Sequence, residues 1–426
     1  MTNNNKFLLI EFSLFILGLL SGKKMIPYSL ITLSIVCIAF YGIFINRSKI
    51  NFLSLSLMLE PAYRRMSKYV FGSTKVYMYY EYLLIFFFLF GLLKKRQKTF
   101  INYSIILIPW LFIELNSYIF SENSYSRSII LHSILFYLSV LYAHNFYKIN
   151  KAELIDILKG FCLGGAYLGG LAFSSHFFGN IEFKVGSSHA ASGRLPPIHL
   201  SSLLGISVMS KIILLGHIDK NKIAHYFSII IYSGILILTF SRTGVILLLI
   251  STSVYYIFRF RNYFYYLPFI LILPFIISYF FEMLNDYTGG FLALRYADDL
   301  ASDRLYIWQS IFEIFKNNIN GIGLGNAHSA IAQEGYVDSN TGVHNPFLRV
   351  LVEDGVFGFF FYIMFHLIFG LKLTFSNARN ISIPFFLIYM IITLSLGMKL
   401  AMQFYIIMVI IGVMNNNNKT NNVFNI

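Results

Sequence analysis

Charged residues are scarce in this sequence, at 12% of 426 residues, where a soluble domain carries roughly 25%. That shortfall excludes an ordinary soluble fold. Cysteine is nearly absent, and both Cys37 and Cys162 fall inside apolar runs, which argues against a disulfide framework and against a Cys-based metal site. No His-rich or Cys-rich tract occurs, and Asp338 and His328, the candidate ligands nearest His344, show no recognisable metal spacing. Acidic residues number 19 against 33 Lys and Arg, for a net charge of +14. In a soluble chain that excess would suggest nucleic acid, but here the basic residues sit in short loops between apolar runs, as the positive-inside rule expects. Topology therefore accounts for most of the charge, and no nucleic-acid partner is expected.

Apolar residues are what the chain has in abundance, at 57%, with a mean hydropathy of +0.66. Apolar runs recur along the whole length, many near the roughly 20 residues that a helix needs to cross the hydrocarbon core. The expected fold is all-α: a polytopic transmembrane helix bundle of 12–14 spans, in one integral domain over residues 1–426. Expected spans are 7–20, 25–45, 76–93, 100–115, 128–144, 160–178, 198–216, 224–240, 243–258, 264–281, 347–370, 381–397 and 402–414. A further short run at 51–59 leaves the number and orientation of the first spans open. The first run carries Glu11 and leads to Lys23 and Lys24 rather than to a small-residue cleavage site, so no cleavable signal peptide is expected.

The basic loops at 94–98, 148–159, 220–222, 259–261 and 372–379 are expected in the cytoplasm. Alternation then puts 116–127, 180–197, the Ser241-Arg242 break and the long segment 282–344 on the other side. That segment holds 8 acidic residues (Glu282, Asp286, Asp298, Asp299, Asp303, Glu313, Glu334, Asp338) and only three Lys or Arg. A loop this long is commonly functional or disordered. Here it carries its own amphipathic helix, because Leu305, Trp308, Ile311, Phe312 and Phe315 fall at helical spacing behind Ser302 as an N-cap. Such a helix lies on the membrane surface or packs on the bundle.

Asn345-Pro346 reads as an N-cap followed by proline at the first helical position. It sets His344 at the lip of a helix, where a plain surface histidine is the alternative. Arg349 and Glu353 are spaced i, i+4 and read as a structural ion pair, with Gly355 and Gly358 allowing close helix packing. Arg242 interrupts two apolar runs at the outer end, where a topology anchor does not belong; an interfacial snorkelling arginine is the alternative. Arg304 lies in the first turn of the loop helix, where a cation opposes the macrodipole. A phosphate held between the two would explain it, and pairing with Asp303 or Asp299 is the other reading. The Gly321-x-Gly-x-Gly segment follows a helix rather than a strand, so it reads as a helix-ending turn rather than a nucleotide loop.

Taken in order, Ser241-Arg242-Thr243-Gly244, Arg304 with Trp308, Gly321-x-Gly-x-Gly, and His344-Asn345-Pro346-Phe347-Leu348 followed by Glu353-x-Gly355-x-x-Gly358 resemble the O-antigen ligase and O-antigen polymerase (Wzy-type) superfamily of bacterial membrane glycosyltransferases. Ser192 to Pro197 looks like an upstream family element, with Pro-Pro where the family usually has Pro-Asn. The resemblance implies transfer of a glycan from an undecaprenyl-diphosphate carrier at the periplasmic face of the inner membrane, with no cofactor, metal or nucleotide. It implies His344, Arg304 and Arg242 as catalytic residues, and Arg194, Arg295, Asn345 and Trp308 as substrate-binding residues. The partners it implies are carrier-linked oligosaccharides as donor and acceptor and the lipid bilayer, with a chain-length regulator protein as an optional one. A polymerase adds to another carrier-linked repeat unit and a ligase to the lipid A core. Polymerase is the reading adopted, because the chain shares only short family motifs; ligase is the alternative. A lipid-linked oligosaccharide flippase is a third reading, against which stand the lack of a detectable internal repeat and the concentration of polar residues in one outer loop.

Overall fold

The computed structural model describes residues 3–22, 54–55, 57–59, 103–119, 121, 126–177, 197–217, 222–239, 241–259, 279, 282–283, 286, 303–333, 343, 345–396 and 401–417. Among them there is no strand, and the α-helices are α1 (Asn3–Gly22), α2 (Leu107–Ile119, entered through a 3-10 turn at Tyr103–Ile106), α3 (Ser126–Phe146), α4 (Lys151–Phe177), α5 (Pro197–Leu215), α6 (Lys222–Leu238), α7 (Arg242–Arg259), α8 (Asp303–Asn317), α9 (Ala327–Gln333), α10 (Pro346–Glu353), α11 (Gly355–Thr374), α12 (Arg379–Leu396) and α13 (Ala401–Asn417). Four segments, Ser126–Phe146, Lys151–Ser174, Ile198–Leu215 and Gly355–Thr374, are long and apolar enough to cross a membrane. The chain is thus a helical membrane bundle. The expected spans at 25–45, 76–93 and 264–281 lie wholly or almost wholly outside the described residues.

The bundle is organised around α4, which packs on α1, α5 and α6. Hydrophobicity does not draw helices together within lipid, so close packing must, and small residues permit it. A Cβ at Gly18 would lie 2.2 Å from the Tyr167 carbonyl oxygen, and one at Gly170 would lie 2.1 Å from that of Phe15. The α1 and α4 backbones therefore touch at this crossing. Gly165 admits Ser207 of α5 in the same way, with 2.0 Å from a Cβ there to Ser207 Oγ. A buried ion pair reinforces α1: Lys211 of α5 donates to Glu11, and Tyr232 of α6 donates to the other oxygen of the same carboxylate at 3.0 Å. On the far side, Phe136 of α3 stacks on Tyr389 of α12 and on His366 of α11. His366 Nδ1 donates to the Tyr362 carbonyl at 2.8 Å, so Nε2 accepts from the Tyr389 hydroxyl at 3.1 Å.

Two expectations are corrected. The basic segment 148–159 is not a loop beyond Asn150, because α4 begins at Lys151. Asn150 and Glu153 form a reciprocal capping box, with both side-chain bonds to backbone amides at 2.9 Å. The expected span 347–370 is broken at Asp354 into α10 and α11. Gly355 takes φ +71°, a left-handed conformation that costs other residues about 1–2 kcal/mol. The break persists because its backbone is satisfied from outside the helix. The amides of Ile322 and Gly323 donate to the carbonyls of Val352 and Glu353 at 2.9 and 3.1 Å, and Val356 N donates to Ile319 O at 3.0 Å.

Candidate functional site

The segment that carries the sequence motifs folds as a small layer of its own. Helix α8 ends at Asn317 and the chain turns through Gly321, Gly323 and Gly325, at φ +95°, +89° and +81°. This is the helix-ending turn expected from the sequence. It is also a docking element: a Cβ at Gly321 would lie 2.4 Å from the Glu353 carbonyl oxygen, and one at Gly355 would lie 2.4 Å from the backbone of Asn320. Ser121 donates to the Leu324 carbonyl at 2.7 Å, which ties the turn to the chain just before α3. Gly355 therefore serves a backbone contact between turn and helix break, rather than helix packing.

Helices α8, α9 and α10 share a satellite core of Ile307, Ile311, Ile314, Ala327, Ile331, Val343 and Val352. The expected apolar stripe of α8 through Leu305, Trp308, Ile311, Phe312 and Phe315 is only partly the packing face. Ile307, Ile311 and Ile314 are buried, while Trp308 is 39% and Phe312 is 48% exposed. Both rows obey helical spacing, and the position of α9 selects between them.

Asn345 is the N-cap of α10, with φ −120° and ψ 111°, and Pro346 follows at the first helical position. Its Oδ1 accepts from Phe347 N at 2.9 Å and Leu348 N at 3.3 Å. Val343 is buried in the satellite core, and Asn345 N donates to Val343 O at 2.6 Å. The two neighbours of His344 are thus each anchored, whereas His344 itself lies outside the described residues, as do Arg194 and Arg295. Arg242 is the first residue of α7 and Arg304 the second of α8. Ser241, just before α7, is buried, and Gly244 lets α7 approach Ser201 of α5. Trp308 is one turn beyond Arg304 on the exposed side of α8.

Arg349 occupies the first half of α10 and makes the expected pair with Glu353, Nη1 to Oε2 at 3.0 Å. Its second arm, Nη2, donates to Glu114 Oε1 of α2 at 3.1 Å. Glu114 and Glu353 are buried, while the Arg349 side chain keeps 17% of its surface exposed. Glu353 also accepts from Ala327 N at 3.2 Å, which caps α9. Asp354, buried as well, lies within electrostatic reach of Glu114, Arg349 and Glu353. Three carboxyl groups thus surround one guanidinium. Glu114 was not singled out in the sequence, and Asp354, the aspartate that follows Glu353, was noticed there without a role, although an acidic residue inside an apolar run is itself a signal. Among the described residues no group of three His, Cys, Asp or Glu could hold a metal ion.

Away from this layer, His217 in the turn after α5 is held down to about 4 by burial, with Lys151 and then Arg259 adding repulsion.

Residues 227–363 match the family described as O-antigen ligase (Wzy_C). No curated protein matches the chain. The matched segment runs from α6 into α11 and includes Arg242, Arg295, Arg304, Trp308, the glycine turn, His344, Asn345, Arg349 and Glu353; Arg194 and Glu114 lie outside it. Through this segment the chain is similar to the O-antigen ligase family, in line with the resemblance its motifs carry to the O-antigen ligase and polymerase superfamily.

Proposed function

We propose that the protein is a surface-polysaccharide polymerase of the bacterial inner membrane, joining undecaprenyl-diphosphate-linked oligosaccharide repeat units at the periplasmic face. In this reading the segment 282–346 is a periplasmic loop. The acceptor sugar hydroxyl gives its proton to His344 and attacks the anomeric carbon of the donor sugar. The bond to the carrier diphosphate breaks, and the diphosphate leaves with the bonding electrons. Its developing charge is met by Arg242 and Arg304, whose guanidinium groups match phosphate in a two-pronged geometry. Arg194, Arg295, Asn345 and Trp308 bind donor and acceptor. The donor is already activated by its diphosphate, so the scheme calls for neither nucleotide nor metal.

The observation that carries this reading is the family match, joined to the position of both arginines in the first turn of a helix. A cation there opposes the macrodipole, and an anion bound between the guanidinium and the free N–H groups reverses the sign of that interaction. The anchored residues on either side of His344 further suit a base that must meet a hydroxyl within hydrogen-bond reach.

The ligase reading has one observation in its favour, the description of the matched family. The acceptor separates the two. Purified protein given carrier-linked repeat units alone should build a ladder of longer glycans and release undecaprenyl diphosphate, and it should do so in EDTA. Product that forms only when lipid A core is added identifies a ligase. Neither product under any acceptor overturns the glycosyl-transfer reading.

A further inference from the structure

Helix α10 is short, at eight residues, and a helix of that length has little stability of its own. Its orientation must come from what surrounds it. Val352 and Leu348 enter the satellite core with α8 and α9. Val350 enters the main core, and Phe347 packs edge-on against Tyr362 and His366 of α11. Toward α2 the contact is polar, made by Arg349 reaching Glu114.

A buried ion pair is a poor way to gain stability, because desolvation consumes most of the Coulomb attraction and apolar residues of similar volume do as well or better. Here the arrangement is more costly still. Glu114, Glu353 and Asp354 supply three carboxyl groups for one guanidinium. What the cluster does supply is direction. The Arg349 fork has fixed geometry, one arm on its own helix and the other on α2. Glu353 in turn holds the N-terminus of α9, so α2, α9 and α10 are joined through a single guanidinium and its two carboxylates. That junction lies about one turn from the Asn345 cap.

From this arrangement we propose that Glu114, acting through Arg349, is a positioning residue for the transfer reaction: it sets the α10 end that carries His344 and Asn345. The inference rests on the assignment of His344 as the base. It does not place Glu114 or Arg349 on substrate.

The test uses the full-length protein in detergent or vesicles, with carrier-linked repeat units isolated from cells that lack it and release of undecaprenyl diphosphate as the readout. Glu114→Gln keeps the side-chain volume but turns the charge-assisted bond from Arg349 Nη2 into one to a neutral acceptor, about half as strong, so the hold of α2 on α10 is loosened. It should accumulate as folded protein, yet its kcat per folded molecule should fall about tenfold to a hundredfold, as small misplacements of reacting groups do, with KM for the donor within about twofold of native. Arg349→Lys, which keeps charge but loses the fork, should show the same split, and it decides the matter where Glu114→Gln accumulates poorly. Native kcat per folded molecule, or a loss that appears in KM alone, overturns the positioning role. His344→Ala assayed in parallel separates the two claims. Full activity of that variant removes the base and this inference with it, whereas an inactive His344→Ala beside a native-like Glu114→Gln removes only the positioning role.

Discussion

Glu114 and Arg349 stand 235 residues apart in the chain and 3.1 Å apart in the structure, joined Oε1 to Nη2. The link ties α2, which precedes the family-matched segment, to α10 near the C-terminal end of that segment. It also turns the local i, i+4 pair of Arg349 and Glu353 into one side of a three-helix junction. The motif-bearing layer is therefore not self-contained, since one of its arginines is held from outside it.

Replacing the two proposed diphosphate ligands by lysine tests whether they work by geometry or by charge alone. Arg242→Lys and Arg304→Lys should each lose most turnover while accumulating normally in the membrane, because an ammonium cannot reproduce the two-pronged contact. Initial rates of undecaprenyl diphosphate release, normalised to folded protein, supply the measurement. Native rates in both variants would leave the arginines as structural residues.

The buried pair of Glu11 and Lys211 should obey the asymmetry expected of buried charges. Lys211→Met strands the Glu11 carboxylate and should cost about 3–5 kcal/mol, seen as a lower melting midpoint in detergent and reduced accumulation. Combining it with Glu11→Gln, which still offers Tyr232 an acceptor for its 3.0 Å bond, should restore most of the loss. A single variant as stable as the native protein would show that the pair contributes nothing to holding α1.

Glycine positions separate backbone necessity from mere preference. Gly355→Ala must place a side chain at φ +71° with its Cβ 2.4 Å from the Asn320 backbone, so it should cost at least the ~1–2 kcal/mol of the left-handed conformation and reduce activity by loosening the turn from α10. Gly234→Ala, whose Cβ would meet nothing within 4 Å, is the matched control and should be tolerated. Melting midpoints of the two variants, measured side by side, check the pair.

His217 gives a pH signature independent of the transfer reaction. Its folded value of about 4 lies below the 6.5 of a free imidazole, so the fold favours the neutral ring. The contribution is whole above pH 6.5 and is lost as pH falls from there through 4, where the unfolded chain takes up the proton first. The melting midpoint of the native protein should therefore decline relative to that of His217→Asn over that interval. Parallel midpoints across the range would refute the assignment.

Much of this architecture is legible from sequence alone, wherever the cause is local. An apolar run near the length of a membrane helix has few other options, because lipid offers its backbone no partners. Such runs gave α3, α5, α6, α7, α12 and α13 to within a few residues. The Asn345-Pro346 cap, the Arg349–Glu353 pair and the turning role of Gly321-x-Gly-x-Gly are likewise consequences of neighbours in the chain. So was the Asn150–Glu153 capping box, although the basic residues around it favoured a loop.

The tertiary structure decided what has no local cause. Gly355 in an apolar run suits a continuous helix as well as a break, and the choice fell to the amides of Ile322 and Gly323, which take the freed carbonyls. Two faces of α8 have helical apolar spacing, and α9 determined which of them is buried. Arg349 with one carboxylate is an ordinary helix pair. Only the folding of α2 against α10 and α11 brings Glu114 to its second arm, because a contact across 235 residues depends on the packing of whole helices and leaves no trace in the spacing of residues along the chain.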